Sequence, residues 1–116
     1  MKGPPFGGPF FLFERNLSMI KIHKDGTKEH YNSKGQLHRT DGPAIEWMNG
    51  YKAWLQNGKF HRINGPAIEW PDGTKFWYQN GKLHCLDGPA AEYSYGEVNY
   101  WIEGVQLTEK EFNERK

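Results

Sequence analysis

His61-Arg62-Ile63-Asn64-Gly65-Pro66-Ala67-Ile68-Glu69-Trp70-Pro71-Asp72-Gly73-Thr74-Lys75-Phe76-Trp77 decides the fold, because its key positions occur three times at one spacing. His38, His61 and His84 stand 23 residues apart, as do Gly42-Pro43-Ala44, Gly65-Pro66-Ala67 and Gly88-Pro89-Ala90. Trp47, Trp70 and Tyr93 form one aromatic column at the same step, and Trp54, Trp77 and Tyr100 a second. A period of about 20 to 50 residues marks stacked supersecondary units, none of which buries its apolar face alone.

Within one unit, Ala67 to Trp70 and Thr74 to Tyr78 read as two strands joined by Pro71-Asp72-Gly73. Pro presets the first turn position and Gly accepts the left-handed conformation, which suits a three-residue hairpin loop with a bulge. Pairing Trp70 with Thr74 puts Glu69 opposite Lys75 and Ala67 opposite Trp77 on one face, with Ile68 opposite Phe76 on the other. One unit earlier, Glu46 meets Lys52 and Ala44 meets Trp54, while Ile45 and Ala53 share the other face with Trp47, Tyr51 and Leu55. The second strand ends at Asn57-Gly58 or Asn80-Gly81, the signature of a type I′ turn. A return segment then leads through the Gly-Pro bend to the next hairpin.

The flanks differ. Residues 1–17 form a Gly-, Pro- and Phe-rich arm, expected to be loose apart from an edge strand at Phe10-Phe11-Leu12-Phe13. Residues 18–107 hold about four units, the first degenerate, with one extra residue between Gly26 and Gly35 and with His23 and His30 where later units carry Trp or Tyr. Residues 108–116 predict a capping helix: Thr108 as N-cap, Glu111 three residues on, and Leu107 staged toward Phe112. The expected fold is all-β, an elongated single-layer antiparallel sheet of stacked hairpins closed by that short helix.

Composition narrows the function without choosing it. A net charge of +1 demands neither nucleic acid nor an anionic surface as partner. Cys85, the single cysteine, stands where neighbouring units have Arg39 and Arg62, so no internal disulfide forms; a reducing, cytoplasmic setting is the expectation. The apolar run Pro9 to Phe13 is far shorter than a span of about 20 residues, so no integral membrane association is expected.

The recurring Gly-x-x-His-Arg-x-Asp/Asn-Gly-Pro-Ala-x-Glu-Trp-x-x-Gly-x-x-x-Trp resembles the membrane occupation and recognition nexus (MORN) repeat, in the variant common in tailed-phage and giant-virus proteins. The resemblance covers about Ile20 to Leu107. It implies one sheet hairpin per unit and a role in binding, not catalysis. It does not identify the partner; a host protein bound through the sheet face and basic rim is the expectation, and its inhibition in the host cytoplasm, for example of a defence or regulatory factor, is what the resemblance to phage proteins implies.

The residues themselves argue against chemistry at a site. Equivalent histidines one two-stranded unit apart are separated by roughly 9 to 10 Å, too far for one zinc bound at about 2.0 to 2.1 Å. His38, His61 and His84 are expected instead to brace the return loops by bonding Asp41, Asn64 and Asp87 or a carbonyl of the Gly-Pro bend. No catalytic residue, metal or cofactor is expected: the carboxylates face lysines, and Cys85 and His84 point to opposite faces of a strand. The candidate binding residues are Trp47, Trp54, Trp70, Trp77 and Tyr100, bordered by a basic rim of Arg39, Lys59, Arg62 and Lys82. Aromatic residues and Arg dominate protein interfaces. The alternatives are nucleic-acid or nucleotide binding, with bases stacked on exposed rings and phosphates on that rim, and peripheral membrane binding. An oligomer is compatible with the same surface.

Overall fold

The computed structural model describes residues 10–13 and 19–115. Its strands are β1 (Phe10–Phe13), β2 (Met19–Ile22), β3 (Lys28–Tyr31), β4 (Ile45–Glu46), β5 (Lys52–Ala53), β6 (Leu55–Gln56), β7 (Lys59–Phe60), β8 (Ile68–Glu69), β9 (Lys75–Phe76), β10 (Tyr78–Gln79), β11 (Lys82–Leu83), β12 (Ala91–Glu92), β13 (Val98–Ile102) and β14 (Val105–Leu107), followed by helix α1 (Glu109–Glu114). Ten of them form one antiparallel sheet in the order β1-β2-β3-β4-β5-β8-β9-β12-β13-β14, in a molecule of 59 × 27 × 17 Å.

The register follows the loops. Trp70 N–H donates to the Thr74 carbonyl at 2.9 Å and Gly73 N–H to the Trp70 carbonyl at 3.1 Å, with Gly73 at φ 97°. This is the expected three-residue loop, and it fixes Glu69 opposite Lys75 and Ile68 opposite Phe76. The preceding hairpin pairs Glu46 with Lys52 and Ile45 with Ala53. Between hairpins, Lys52 pairs with Glu69 and Lys75 with Glu92, so Lys and Glu alternate across the sheet.

After Trp54 the chain leaves the long sheet. Leu55 pairs with Phe60, and one unit later Tyr78 with Leu83, in short ribbons beside the main sheet. Their turns are type I′, with Asn57 and Gly58 at φ 51° and 79° and Asn80 and Gly81 at 52° and 80°. Each of the two central units thus adds one hairpin to the sheet, as expected, and a second, smaller one at its side, whereas in the last unit β13 and β14 stay in the long sheet.

The core is small and built from short side chains. Ala44, Ala67 and Ala90 are fully buried. Trp54 N–H bonds the Ala67 carbonyl and Trp77 N–H the Ala90 carbonyl, which places each alanine between successive members of the Trp54, Trp77 column. Tyr51, Ala53, Leu55 and Ile68 are buried as one cluster with Ala44, flanked by Leu37, Ile45, Phe60, Phe76 and Tyr78. Helix α1 ends the stack: Thr108 Oγ1 accepts from Glu111 N–H and Glu111 Oε1 from Thr108 N–H, the expected capping box. Its buried Phe112 packs on Tyr100 at 4.6 Å. At the other end β1 pairs with β2, so Phe10–Phe13 supplies the edge strand that the sequence suggested. The rest of the expected N-terminal arm lies outside the described residues.

Candidate functional site

Strand alternation sends the two aromatic columns to opposite faces. Trp47 and Trp70 share a face with Ile45, Ala53 and Ile68; Trp54 and Trp77 share the other with the Lys and Glu ladder.

On the ladder face Arg39 and Arg62 each organise one unit. Arg62 lies 3.8 Å over the Trp54 ring and donates to the Pro66 carbonyl and to Glu69 Oε2, both at 3.0 Å. Arg39 repeats the arrangement, donating to the Pro43 carbonyl at 3.2 Å, Glu46 Oε2 at 3.4 Å and Asp41 Oδ1 at 2.9 Å, and meeting His30 Nε2 at 3.2 Å. His30 here occupies the Trp54 position, since His30 N–H bonds the Ala44 carbonyl as Trp54 N–H bonds Ala67. The guanidinium lies close against the bend: a Cβ on Gly42 or Gly65 would come within 2.8 Å of its carbon, so a side chain there would push the arginine aside. The Arg39 guanidinium beside Asp41 holds that exposed carboxyl below its ordinary range.

These contacts correct the expected loop bracing. Arginine, not histidine, holds the Gly-Pro bend. His38, His61 and His84 each use Nδ1 to accept a backbone N–H 19 residues on, from Asn57 at 2.9 Å, Asn80 at 3.0 Å and Glu103 at 2.9 Å. Asp41 pairs with Arg39, and neither the Asn64 nor the Asp87 side chain bonds a histidine among the described residues. The cause is extended backbone: His61 and Arg62 are adjacent and point opposite ways, so one reaches the next turn and the other Glu69. Glu46 and Glu69 likewise take Arg as ion-pair partner and not the cross-strand Lys.

The candidate binding residues separate accordingly. Trp54 is covered by Arg62, and Trp77, half-buried, has its Nε1 buried without a hydrogen-bond partner. Tyr100 is covered by Phe112. Of the basic rim, Arg39 and Arg62 are engaged with carboxylates, while Lys59 and Lys82 are exposed beside the type I′ turns. The four cations therefore do not form one free track along which a phosphate backbone could run.

Trp47 and Trp70 are the rings left open, at 44% and 38% exposure. Both pack on buried Tyr51, with centroids 4.5 and 4.4 Å away, and burial raises the Tyr51 phenol above its ordinary range. The hairpin loops carrying them line one rim: the Gly50 loop abuts Pro71, and Ser94 N–H donates to Thr74 Oγ1 at 3.2 Å. Met48 and Tyr95, exposed at 70% and 72%, lie on the same loops, and Tyr95 stacks on Tyr93 at 5.4 Å. The repeat pattern by itself does not single out Met48 and Tyr95. The signal was there, since loop positions given to Asp72 and Asn49 elsewhere hold Tyr95 in the last unit. No helix among the described residues is long and apolar enough to cross a membrane. Comparison with protein-family models, with curated proteins and with solved structures finds no match to this chain.

Proposed function

We propose that this chain is a MORN-like repeat protein serving as a non-enzymatic interaction module, and that it holds a protein partner on the hairpin-loop rim formed by Met48, Trp47, Trp70, Tyr93 and Tyr95. The observation that supports this reading most is the exposure of Trp47, Met48, Trp70 and Tyr95 on neighbouring hairpin loops, with Trp47 and Trp70 packed on Tyr51 and Tyr95 on Tyr93. Rigid aromatic anchors lose little conformational freedom on binding and concentrate interface energy. That the partner is a host protein, and that binding inhibits it, rests on the repeat resemblance alone.

The test is affinity capture from the host lysate by the wild-type chain, by a Met48→Glu/Tyr95→Glu double variant and by a Lys59→Glu/Lys82→Glu control. Both pairs are exposed, so circular dichroism should show each variant folded. A specifically retained protein is expected to be lost with the first variant and kept with the second. Retention of the same protein by a folded Met48→Glu/Tyr95→Glu chain, or retention of none by the wild type, overturns the proposal.

A further inference from the structure

The last unit keeps the arginine cradle and lacks the arginine. Glu92 stands where Glu46 and Glu69 accept a guanidinium, the Pro89 carbonyl where those of Pro43 and Pro66 do, and Trp77 where Trp54 is stacked. At the arginine position is Cys85, buried and too short to reach any of them. Three observations show the guanidinium's place unfilled and its contacts unmade. A Cβ on Gly88 would meet no heavy atom within 4 Å, whereas on Gly42 and Gly65 it would strike a guanidinium. Among the described residues Glu92 has no ion-pair partner, and no cation or aromatic ring stacks on Trp77. Nor does the nearby Arg115 fill the gap: its guanidinium lies 4.1 Å over Phe112 and donates to the Leu86 carbonyl.

We infer that this cradle is a guanidinium-binding site, and that its ligand is an arginine side chain presented by a partner polypeptide. The carboxylate offers a charge-assisted acceptor, the carbonyl a second one, and the indole a face for a planar cation; this is the set that the protein uses twice on its own arginines. Lysine fits poorly, because a single ammonium cannot stack flat on the indole and donate in two directions as the guanidinium plane does. The site lies on the face opposite to the aromatic rim and does not depend on the function proposed for that rim.

The probe is a blocked Gly-Arg-Gly peptide, titrated into the full chain while the Trp77 indole N–H and the Gly88 and Glu92 amides are followed by NMR. Blocked Gly-Lys-Gly and free L-arginine are the comparators. Saturable shifts at those three residues, with a Kd on the order of 1 mM, are expected for the arginine peptide only weakly matched by the lysine one. Glu92→Gln should weaken binding at least about tenfold, and Cys85→Arg should abolish it by supplying the arginine in cis. Absence of saturable shifts, equal response to the lysine peptide, or undiminished binding by a folded Glu92→Gln chain overturns the site. Free L-arginine binding more tightly than the peptide overturns the polypeptide source. Should Cys85→Arg fail to fold, Glu92→Gln still decides.

Discussion

His61 Nδ1 accepts the backbone N–H of Asn80 at 3.0 Å, so a side chain in one unit holds the type I′ turn of the next. His38 and His84 do the same for Asn57 and Glu103. The bond is exposed, and water can replace part of it. We expect His61→Leu to lose about 1 kcal/mol of stability, while His61→Asn, whose side-chain oxygen falls near the Nδ1 position, loses less. Denaturant midpoints at unchanged m-value, with amide exchange at Asn80, measure this. Equal losses for the two substitutions would show that the ring acts by bulk and not by Nδ1.

Arg62 combines an indole stack, an ion pair and a carbonyl bond on one planar group. Arg62→Lys keeps the charge and cannot keep all three geometries. It should cost nearly as much as Arg62→Met, about 1 to 2 kcal/mol by summing a cation–π contact and a partly exposed ion pair. Thermal unfolding of both variants tests this, and a Lys variant as stable as wild type would reduce the brace to simple charge pairing.

What was legible in the sequence is what is decided over a few residues. Pro71-Asp72-Gly73 fixes its loop, and through it the register of Ile68 against Phe76; Asn80-Gly81 fixes the type I′ turn; Thr108 and Glu111 fix the helix start. The bracing of the bend was not legible, because His61 and Arg62 are neighbours that both carry donors and both could meet a local carboxylate. Choosing between them requires the face each takes and a bond spanning 19 residues. Ring exposure was hidden for the same reason: Trp54 and Trp47 are the same residue type, and only the fold puts Arg62 over one and leaves the other open.

Asp72 Oδ1 accepts the Thr74 N–H at 2.9 Å, and that backbone bond is the main reason its carboxyl titrates below the ordinary value of 3.8. A depressed folded-state pKa contributes stability that is complete above the unfolded value and lost as pH falls through the folded one. The loop should therefore loosen only below about pH 4. The Thr74 amide shift, followed by NMR against pH, should show a midpoint under 3.8. Asp72→Asn should keep the bond and abolish the titration, since Asn49 already makes the equivalent contact to Tyr51 N–H at 3.0 Å. An unchanged midpoint in the Asn variant would assign the transition to another group.

Glu103 occupies the first turn position at φ 48°, where the two preceding units use Asn57 and Asn80. Left-handed backbone costs an ordinary side chain roughly 1 to 2 kcal/mol and asparagine less, because its short amide bonds locally. The contact to His84 comes from the Glu103 backbone and survives substitution. Glu103→Asn should thus stabilise the chain by about 0.5 to 1 kcal/mol, whereas Glu103→Val, β-branched at a positive φ, should destabilise it by more than that. Chemical denaturation of the two variants against wild type gives the sign directly. An Asn variant no more stable than wild type would mean that Glu103 recovers the backbone cost through a side-chain interaction in the folded state.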